Sequence, residues 1–367
     1  MSGDVILVIV IATALAFDFT NGFHDTANVA ATAISTRAIA PRPAVALASA
    51  LNFVGAFVSL KVAATVGKGF VDVHAVTTTV VFAGLIGAIG WNLLTWYLGL
   101  PSSSSHALIG GLVGSVWAAQ GASAVSGGGL LDKLIVPALV SPLLAFLVAG
   151  IAIVLIYRIV GRLRPGPVNR GFRTGQLASS GLLALSHGTN DAQKTMGLIT
   201  LALVAHGTIR ASAFHVPAWV VIAAASAIGL GTFSGGWRII RTMGTRIIKM
   251  DPAQGFAAQG AGAAVILAAS TVGYPLSTTH VISGGITGAG AAKRFSAVRW
   301  GVAGNIVGAW VLTLPAAATA GAGVFGLCTL FGHGATGPLV ITLVLLAALA
   351  LVLVRRVAQA TPAPVAP

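Results

Sequence analysis

The sequence predicts an all-α protein that crosses a membrane many times, and three observations carry that expectation. Among 367 residues there are 21 Lys or Arg and 7 acids, or 8% charged, whereas a soluble domain carries about 25% to cover its surface. Apolar residues make up 56% and mean hydropathy is +0.94. Apolar runs of the length that spans a bilayer, about 20 residues, recur from one end of the chain to the other. A water-soluble globular protein is thereby excluded. The net charge of +14 calls for no nucleic-acid partner, because loops of membrane proteins are biased towards Lys and Arg.

In chain order the apolar runs lie at 4–35, 42–66, 76–98, 103–120, 134–157, 175–205, 214–236, 253–273, 277–292, 300–326 and 336–354, which predicts about 10–12 transmembrane helices. The first begins with Asp4 rather than a basic residue and leads straight into a polar cluster, so it reads as a retained span and not a signal peptide. The first and sixth runs are overlong and carry polar interruptions. These are Asp18-Phe19-Thr20-Asn21-Gly22-Phe23-His24-Asp25 and Ser186-His187-Gly188-Thr189-Asn190-Asp191. The fourth and ninth are short and open on hydroxyls, Ser102-Ser103-Ser104-Ser105-His106 and Ser277-Thr278-Thr279-His280. Residues 361–367 are rich in Pro and Ala and read as a disordered tail. Cys328 is the only cysteine, so it has no intramolecular disulfide partner and no metal-ligand spacing.

The four oddities form two pairs. Asp25 and Asp191 end matching motifs 166 positions apart, and His106 and His280 end matching motifs 174 apart, each followed by a Gly-Gly pair. Two motifs in the same order at nearly one offset indicate an internal duplication. Basic clusters set the expected orientation: Arg158 to Arg173, Arg238 to Lys249, Lys293 to Arg299, and Arg355-Arg356 all belong on the cytoplasmic side. Counting spans back from the first cluster gives the two halves opposite orientations. The expected organisation is a first inverted repeat (1–157), a basic cytoplasmic linker (158–174), a second repeat (175–330), a C-terminal transmembrane helix (331–357) and a tail (358–367). Inverted repeats with broken or re-entrant helices around a midplane site are the architecture of secondary transporters, and this chain has no cofactor motif.

Charges inside a membrane are informative because each costs about 2.5–3.5 kcal/mol on insertion scales. Asp18, Asp25, Asp191 and Lys194 all fall inside predicted segments. A buried Asp–Lys pair that fixes helix packing is the plainer explanation, and for Asp18 and Lys194 it weighs as heavily as function. Asp25 and Asp191 are twins, which a packing pair does not require. With Asn21, Asn28 and Asn190 they offer hard oxygen ligands, suited to Na⁺ or a proton site rather than a transition metal. The hydroxyls Ser103, Ser104, Ser105, Ser277, Thr278 and Thr279 open helices after a proline, where one serves as a cap. Three in a row, at two helix N-termini with their positive dipole ends, favour an oxyanion. His106 and His280 are candidate proton or anion contacts, while His24 and His187 share the other motifs and His74, His206, His215 and His333 lie in loops or at ends.

These residues resemble the inorganic phosphate transporter (PiT) family. Asn21-Gly22-Phe23-His24-Asp25-Thr26-Ala27-Asn28 resembles its first signature, His187-Gly188-Thr189-Asn190-Asp191-Ala192-Gln193-Lys194 its second, and Ser277-Thr278-Thr279-His280 its Ser-Thr-Thr-His element. The resemblance runs from about residue 10 to 310. It implies a symporter of the cell membrane that carries inorganic phosphate with H⁺ or Na⁺ by alternating access. It puts the cation at Asp25, Asp191, Asn28 and Asn190, to which the neighbouring amide of Asn21 adds a further oxygen. The anion falls to the six hydroxyls with Lys194 offsetting residual charge. Some sodium-coupled relatives carry glutamates in the second and eighth segments, where this chain has Asn52 and Gln259, and that turns the reading towards H⁺. A metal site at Asp25 and Asp191 follows only if the coupling ion is Na⁺. Sulfate is the alternative cargo, an intramembrane hydrolase using a serine of 102–105 with His106 is a distant alternative, and a homo-oligomer is compatible with all of these.

Overall fold

In the computed structural model, residues 2–332 and 334–360 are described. His333 and the tail from 361 lie outside them. The described chain is helical, with a single isolated bridge between Val71 and Val125. α1 (Ser2–Ser35) continues unbroken through the first polar motif. α2 (Pro41–Gly55) opens on a proline, which lacks only an N–H that a helix start leaves unpaired. α3 (Lys61–Lys68) follows a break at 56–60, so the run expected as one span at 42–66 is two helices. α4 (Thr78–Leu98) and α5 (Ser104–Gln120) come next, then α6 (Gly127–Leu130), which passes through a π turn into α7 (Val136–Val160).

α8 (Pro165–Ala205) is 41 residues, about 60 Å of helix, and holds the second polar motif. The linker expected at 158–174 is therefore mostly helix, with only 161–164 between α7 and α8. α9 (Ala218–Ser234) meets α10 (Trp237–Arg241) at a bend of 60°. α11 (Pro252–Val272), α12 (Thr278–Lys293), α13 (Trp300–Leu330) and α14 (Thr336–Ala360) complete the fold. α14 is helical beyond 357, so residues 358–360 belong to it and not to the expected tail. Among the described residues, five helices are long and apolar enough to cross a membrane, or six if the bent α9–α10 pair is one span. The other expected crossings are helices such as α2, α5 and α12, of 15, 17 and 16 residues. Breaks in the helices fall between α2 and α3 and between α9 and α10, not in the polar motifs of α1 and α8.

The short hydroxyl-led helices are the return arms of hairpins. α4 ends on Gly99 (φ +68°) and α11 on Gly273 (φ +88°), a left-handed conformation that glycine adopts without strain. In both, the glycine N–H bonds back three residues and the next N–H bonds back five, Leu100 to Thr95 and Tyr274 to Ala269. The chain then reverses and α5 packs on α4, α12 on α11. Each return arm also packs on a long helix of the other half, α5 on α13 and α12 on α7. A Cβ at Gly114 would stand 2.0 Å from the Ala318 carbonyl, and one at Gly288 2.1 Å from that of Phe146. Only glycine permits these approaches, the small-residue packing that membrane helices favour. α1 and α8 cross in the same swapped fashion, α1 against α9 and α8 against α2, with Gly22 and Gly188 at the crossings.

The basic segments gather at one end. Tyr157 donates to Asp251 (2.6 Å), Lys293 pairs with the same carboxylate (2.8 Å), and the Arg299 N–H bonds to the Ile247 carbonyl (2.9 Å). Burial raises the Asp251 pKa, but Lys293, Tyr157 and the Gln254 N–H outweigh it and hold the carboxyl below its usual 3.8.

Candidate functional site

α1 and α8 carry Asp25 and Asp191 into the interior, where the tips of both hairpins meet them. Both aspartates are fully buried. Thr278 Oγ1 lies 3.3 Å from Asp25 Oδ2 and 3.3 Å from Asp191 Oδ2, bridging the twins. Ser104 donates to Asp25 Oδ2 (2.8 Å). Lys194, buried to 1% exposure, gives all three ammonium donors: to Asp191 Oδ1, to Ser105 Oγ and to the Leu276 carbonyl (2.8 Å). Asn28 donates to Thr279 Oγ1 (2.9 Å) and reaches Thr278 (3.2 Å).

A pattern emerges that neither motif displays alone. Asn28 and Lys194 each stand three residues, about one helical turn, after their aspartate. Each donates to the third hydroxyl of the other half's hairpin, Thr279 and Ser105. The first hydroxyls do something else. Ser103 and Ser277 are the N-caps, accepting from the N–H groups of His106 (3.1 Å) and His280 (3.3 Å). Both cap their helices, while the second hydroxyls, Ser104 and Thr278, meet the aspartates and the third, Ser105 and Thr279, meet Lys194 and Asn28.

Histidines that the sequence reading left out of the site are in it. His24 Nδ1 donates to Asp25 Oδ1 (2.6 Å), and its Nε2 lies 3.3 Å from Ser102 Oγ and from Thr95 Oγ1. The serine that meets a histidine is therefore Ser102, through His24 rather than His106. His187 Nε2 stands 3.1 Å from Asp191 Oδ2 and 3.9 Å from Asp25 Oδ2, at ion-pair distance without hydrogen-bond alignment. Its Nδ1 is 3.1 Å from Asn52 Oδ1. Asn52 is oriented by its own amide, which donates to Thr232 Oγ1 (2.8 Å), whose proton goes to the Ile228 carbonyl. Asn52 Oδ1 must therefore accept from Nδ1–H, which leaves Nε2 as the ring nitrogen turned to the Asp191 carboxylate. The signal for His24 and His187 was their place inside the duplicated motifs.

Other predicted residues lie apart. Asn190 donates to Ser270 (2.8 Å) and the Tyr274 carbonyl (3.3 Å), bracing the α11–α12 turn. Asn21 faces Asp18. His106 and His280 contact each other edge to face at 4.7 Å, and His280 stacks on Trp310 at 3.9 Å. They floor a lateral apolar cavity of about 280 Å³ between α7 and α13, away from the aspartates. Gln259 holds Ser179 and Ser180 and serves helix packing.

Asp25, His187 and Asp191 offer ligand atoms within 4.8 Å of one another. Two carboxylates and one ammonium leave the cluster with one net negative charge. A single monovalent cation, metal or proton, neutralises it.

A family model described as the phosphate transporter family matches residues 21–166 and 162–321. A probable low-affinity inorganic phosphate transporter of Mycobacterium tuberculosis (strain H37Rv) is 53% identical over 89% of this chain and 78% of its own. One of the same description from Bacillus subtilis (strain 168) is 45% identical over 87% and 96%. Among solved structures, "The sodium-dependent phosphate transporter" superposes with a TM-score of 0.82 at 26% identity, covering 89% of this chain and 99% of that one.

Proposed function

Because the chain belongs to the phosphate transporter family, we propose that it carries inorganic phosphate across the cell membrane by symport with a proton, the two halves acting as inverted repeats that rock about the aspartate pair. It is a multi-pass membrane protein and a transporter, not an enzyme. The observation that carries the reading is His187 set between Asp191 and Asp25, with Asn52 fixing its tautomer. A proton held there brings the Asp25–Asp191–Lys194 cluster to neutrality and lowers the repulsion an incoming phosphate meets. Asn52, which holds His187 Nδ1, is an amide and offers a metal ion no charge.

Phosphate then has four hydroxyls to replace water around it, those of Ser104, Ser105, Thr278 and Thr279, at two helix N-termini. Asn28 and Lys194 tie each hairpin tip to the long helix of the other half, so a ligand that engages the tips acts on both halves at once. It favours closure only by its greater affinity for the closed state. The basic segments at one end of the bundle face the cytoplasm in this reading, together with the C-terminus.

The test is phosphate uptake into proteoliposomes driven separately by a pH gradient and by a Na⁺ gradient. Uptake is expected to follow the pH gradient and to be lost in Asp25→Asn and Asp191→Asn. Wild-type uptake by both variants removes the aspartates from the mechanism. Uptake that follows Na⁺ and ignores pH overturns proton coupling while leaving the phosphate assignment standing.

A further inference from the structure

α7 and the hairpin arm α12 cross where Gly288 lies against the Phe146 carbonyl. From that crossing towards the basic end of the bundle they leave a lateral slot of about 670 Å³ between them. Gly288, Ala291 and Ala292 leave the space on α12, because none carries a side chain larger than a methyl. Leu147, Ile151 and Leu155 line it from α7, and all three are exposed. Arg158 ends it and is the one polar residue of the lining. Phe146 to Arg158 is about 18 Å of helix, close to one leaflet of a hydrocarbon core about 30 Å thick.

The mouth beside Arg158 is built. Phe295, 66% exposed, forms its other lip. The Phe295 ring stacks on Trp300 at 4.6 Å, and Trp300 Nε1 donates to the Phe295 carbonyl (3.1 Å). A tryptophan in this place suits the level where bilayer meets water. The charge here is of one sign. Arg158, Arg294 and Arg299 are exposed. The sequence has no acidic side chain between Asp132 and Asp191, and after Asp191 only Asp251. Asp251 is taken by Lys293 and Tyr157 and, among the described residues, pairs with no arginine. An apolar slot one leaflet long, with guanidiniums lacking a carboxylate at its watery end, matches a lipid with an anionic head. A second copy of the chain is a poorer match, because a two-fold contact through this face would set arginine against arginine.

We propose that the slot between α7 and α12 binds one anionic phospholipid, its phosphate at Arg158 and Arg294 and an acyl chain along Gly288, Ala291 and Ala292. The site depends neither on the cargo nor on the coupling ion, so a failure of phosphate uptake leaves it untouched. α12 carries Thr278 and Thr279 at its other end. The lipid therefore holds the foot of the arm whose tip meets the aspartates.

The experiment is native mass spectrometry of the delipidated full-length protein in neutral detergent, titrated with dioleoylphosphatidylglycerol or with dioleoylphosphatidylcholine. One phosphatidylglycerol per chain is expected to bind at a lower concentration than phosphatidylcholine. Arg158→Gln should weaken phosphatidylglycerol about fivefold, the contribution of one arginine beside a membrane anion, and leave phosphatidylcholine unchanged. Ala292→Leu fills the slot and should weaken both lipids. Arg158 is exposed, so its variant tests the site even if Ala292→Leu fails to fold. Equal binding of the two lipids by the wild type overturns the proposal, as does a preference unchanged in Arg158→Gln. Full-strength phosphatidylglycerol binding by a folded Ala292→Leu protein overturns it too. So does a protein that takes no lipid but forms a dimer broken by Ala292→Leu, which would make the slot a contact between copies.

Discussion

Replacing Lys194 with methionine tests how the buried charges hold one another. The ammonium is 1% exposed and gives its three donors to Asp191, Ser105 and the Leu276 carbonyl. Methionine preserves much of the volume and none of these bonds. Asp191 keeps His187 and Thr278, but the cluster changes from one net negative charge to two. Breaking one side of a buried ion pair costs about 3–5 kcal/mol, because the remaining charge stays desolvated. Lys194→Met is therefore expected to lower stability by about that amount in chemical denaturation in mild detergent. Asp191→Asn should be costly too, since it strands the ammonium. In the double variant neither charge remains, so its loss should fall short of the sum of the two single losses by about 2 kcal/mol or more. Phosphate uptake should be lost in Lys194→Met through the added negative charge at the site. Additive losses, or a Lys194→Met protein as stable as wild type, would show that the pair is not coupled as the geometry requires.

Further outcomes follow from single contacts. Ser103→Ala removes a cap and should cost about 1 kcal/mol of stability with little change in the KM for phosphate, whereas Ser104→Ala, which loses the bond to Asp25, should raise KM in the uptake assay. Gly288→Ala sets a methyl 2.1 Å from the Phe146 carbonyl and should destabilise by about 1–3 kcal/mol, while Gly90→Ala meets nothing within 4 Å and should be neutral in the same denaturation series. The Asp251 carboxyl is held below 3.8 in the folded chain, so its contribution is complete above that value and fades as pH falls through the lowered pKa. Asp251→Asn should thus unfold at lower temperature than wild type near neutral pH, and the two midpoints should converge on acidification below 3.8.

The first-order architecture was legible because scarce charges and long apolar runs leave few options. Asp25, Asp191 and the hydroxyl runs stood out for the same reason: polar residues duplicated within apolar helices have no cheaper explanation. What escaped was anything set by three-dimensional crossing. The α4–α5 and α11–α12 hairpins depend on Gly99 and Gly273, single residues that look like any other glycine in a chain with 47 of them. The donors Asn28 and Lys194 are equivalent in position yet different in type, so composition hid their shared task. His106 and His280 carried a duplication signal that reported their contact with each other, not with the aspartates. The run at 42–66 kept its hydropathy across a break that a backbone turn introduces.

The swapped glycine crossings have a consequence for how the molecule is made. α5 completes its packing only against α13, and α12 only against α7. Asn28 and Lys194 find their acceptors only across the halves. During synthesis the first 160 residues therefore emerge with glycine faces and buried donors whose partners have not yet been translated. Those contacts stay open until the second half is made, so the first half reaches its packed state only in the presence of the residues that follow it.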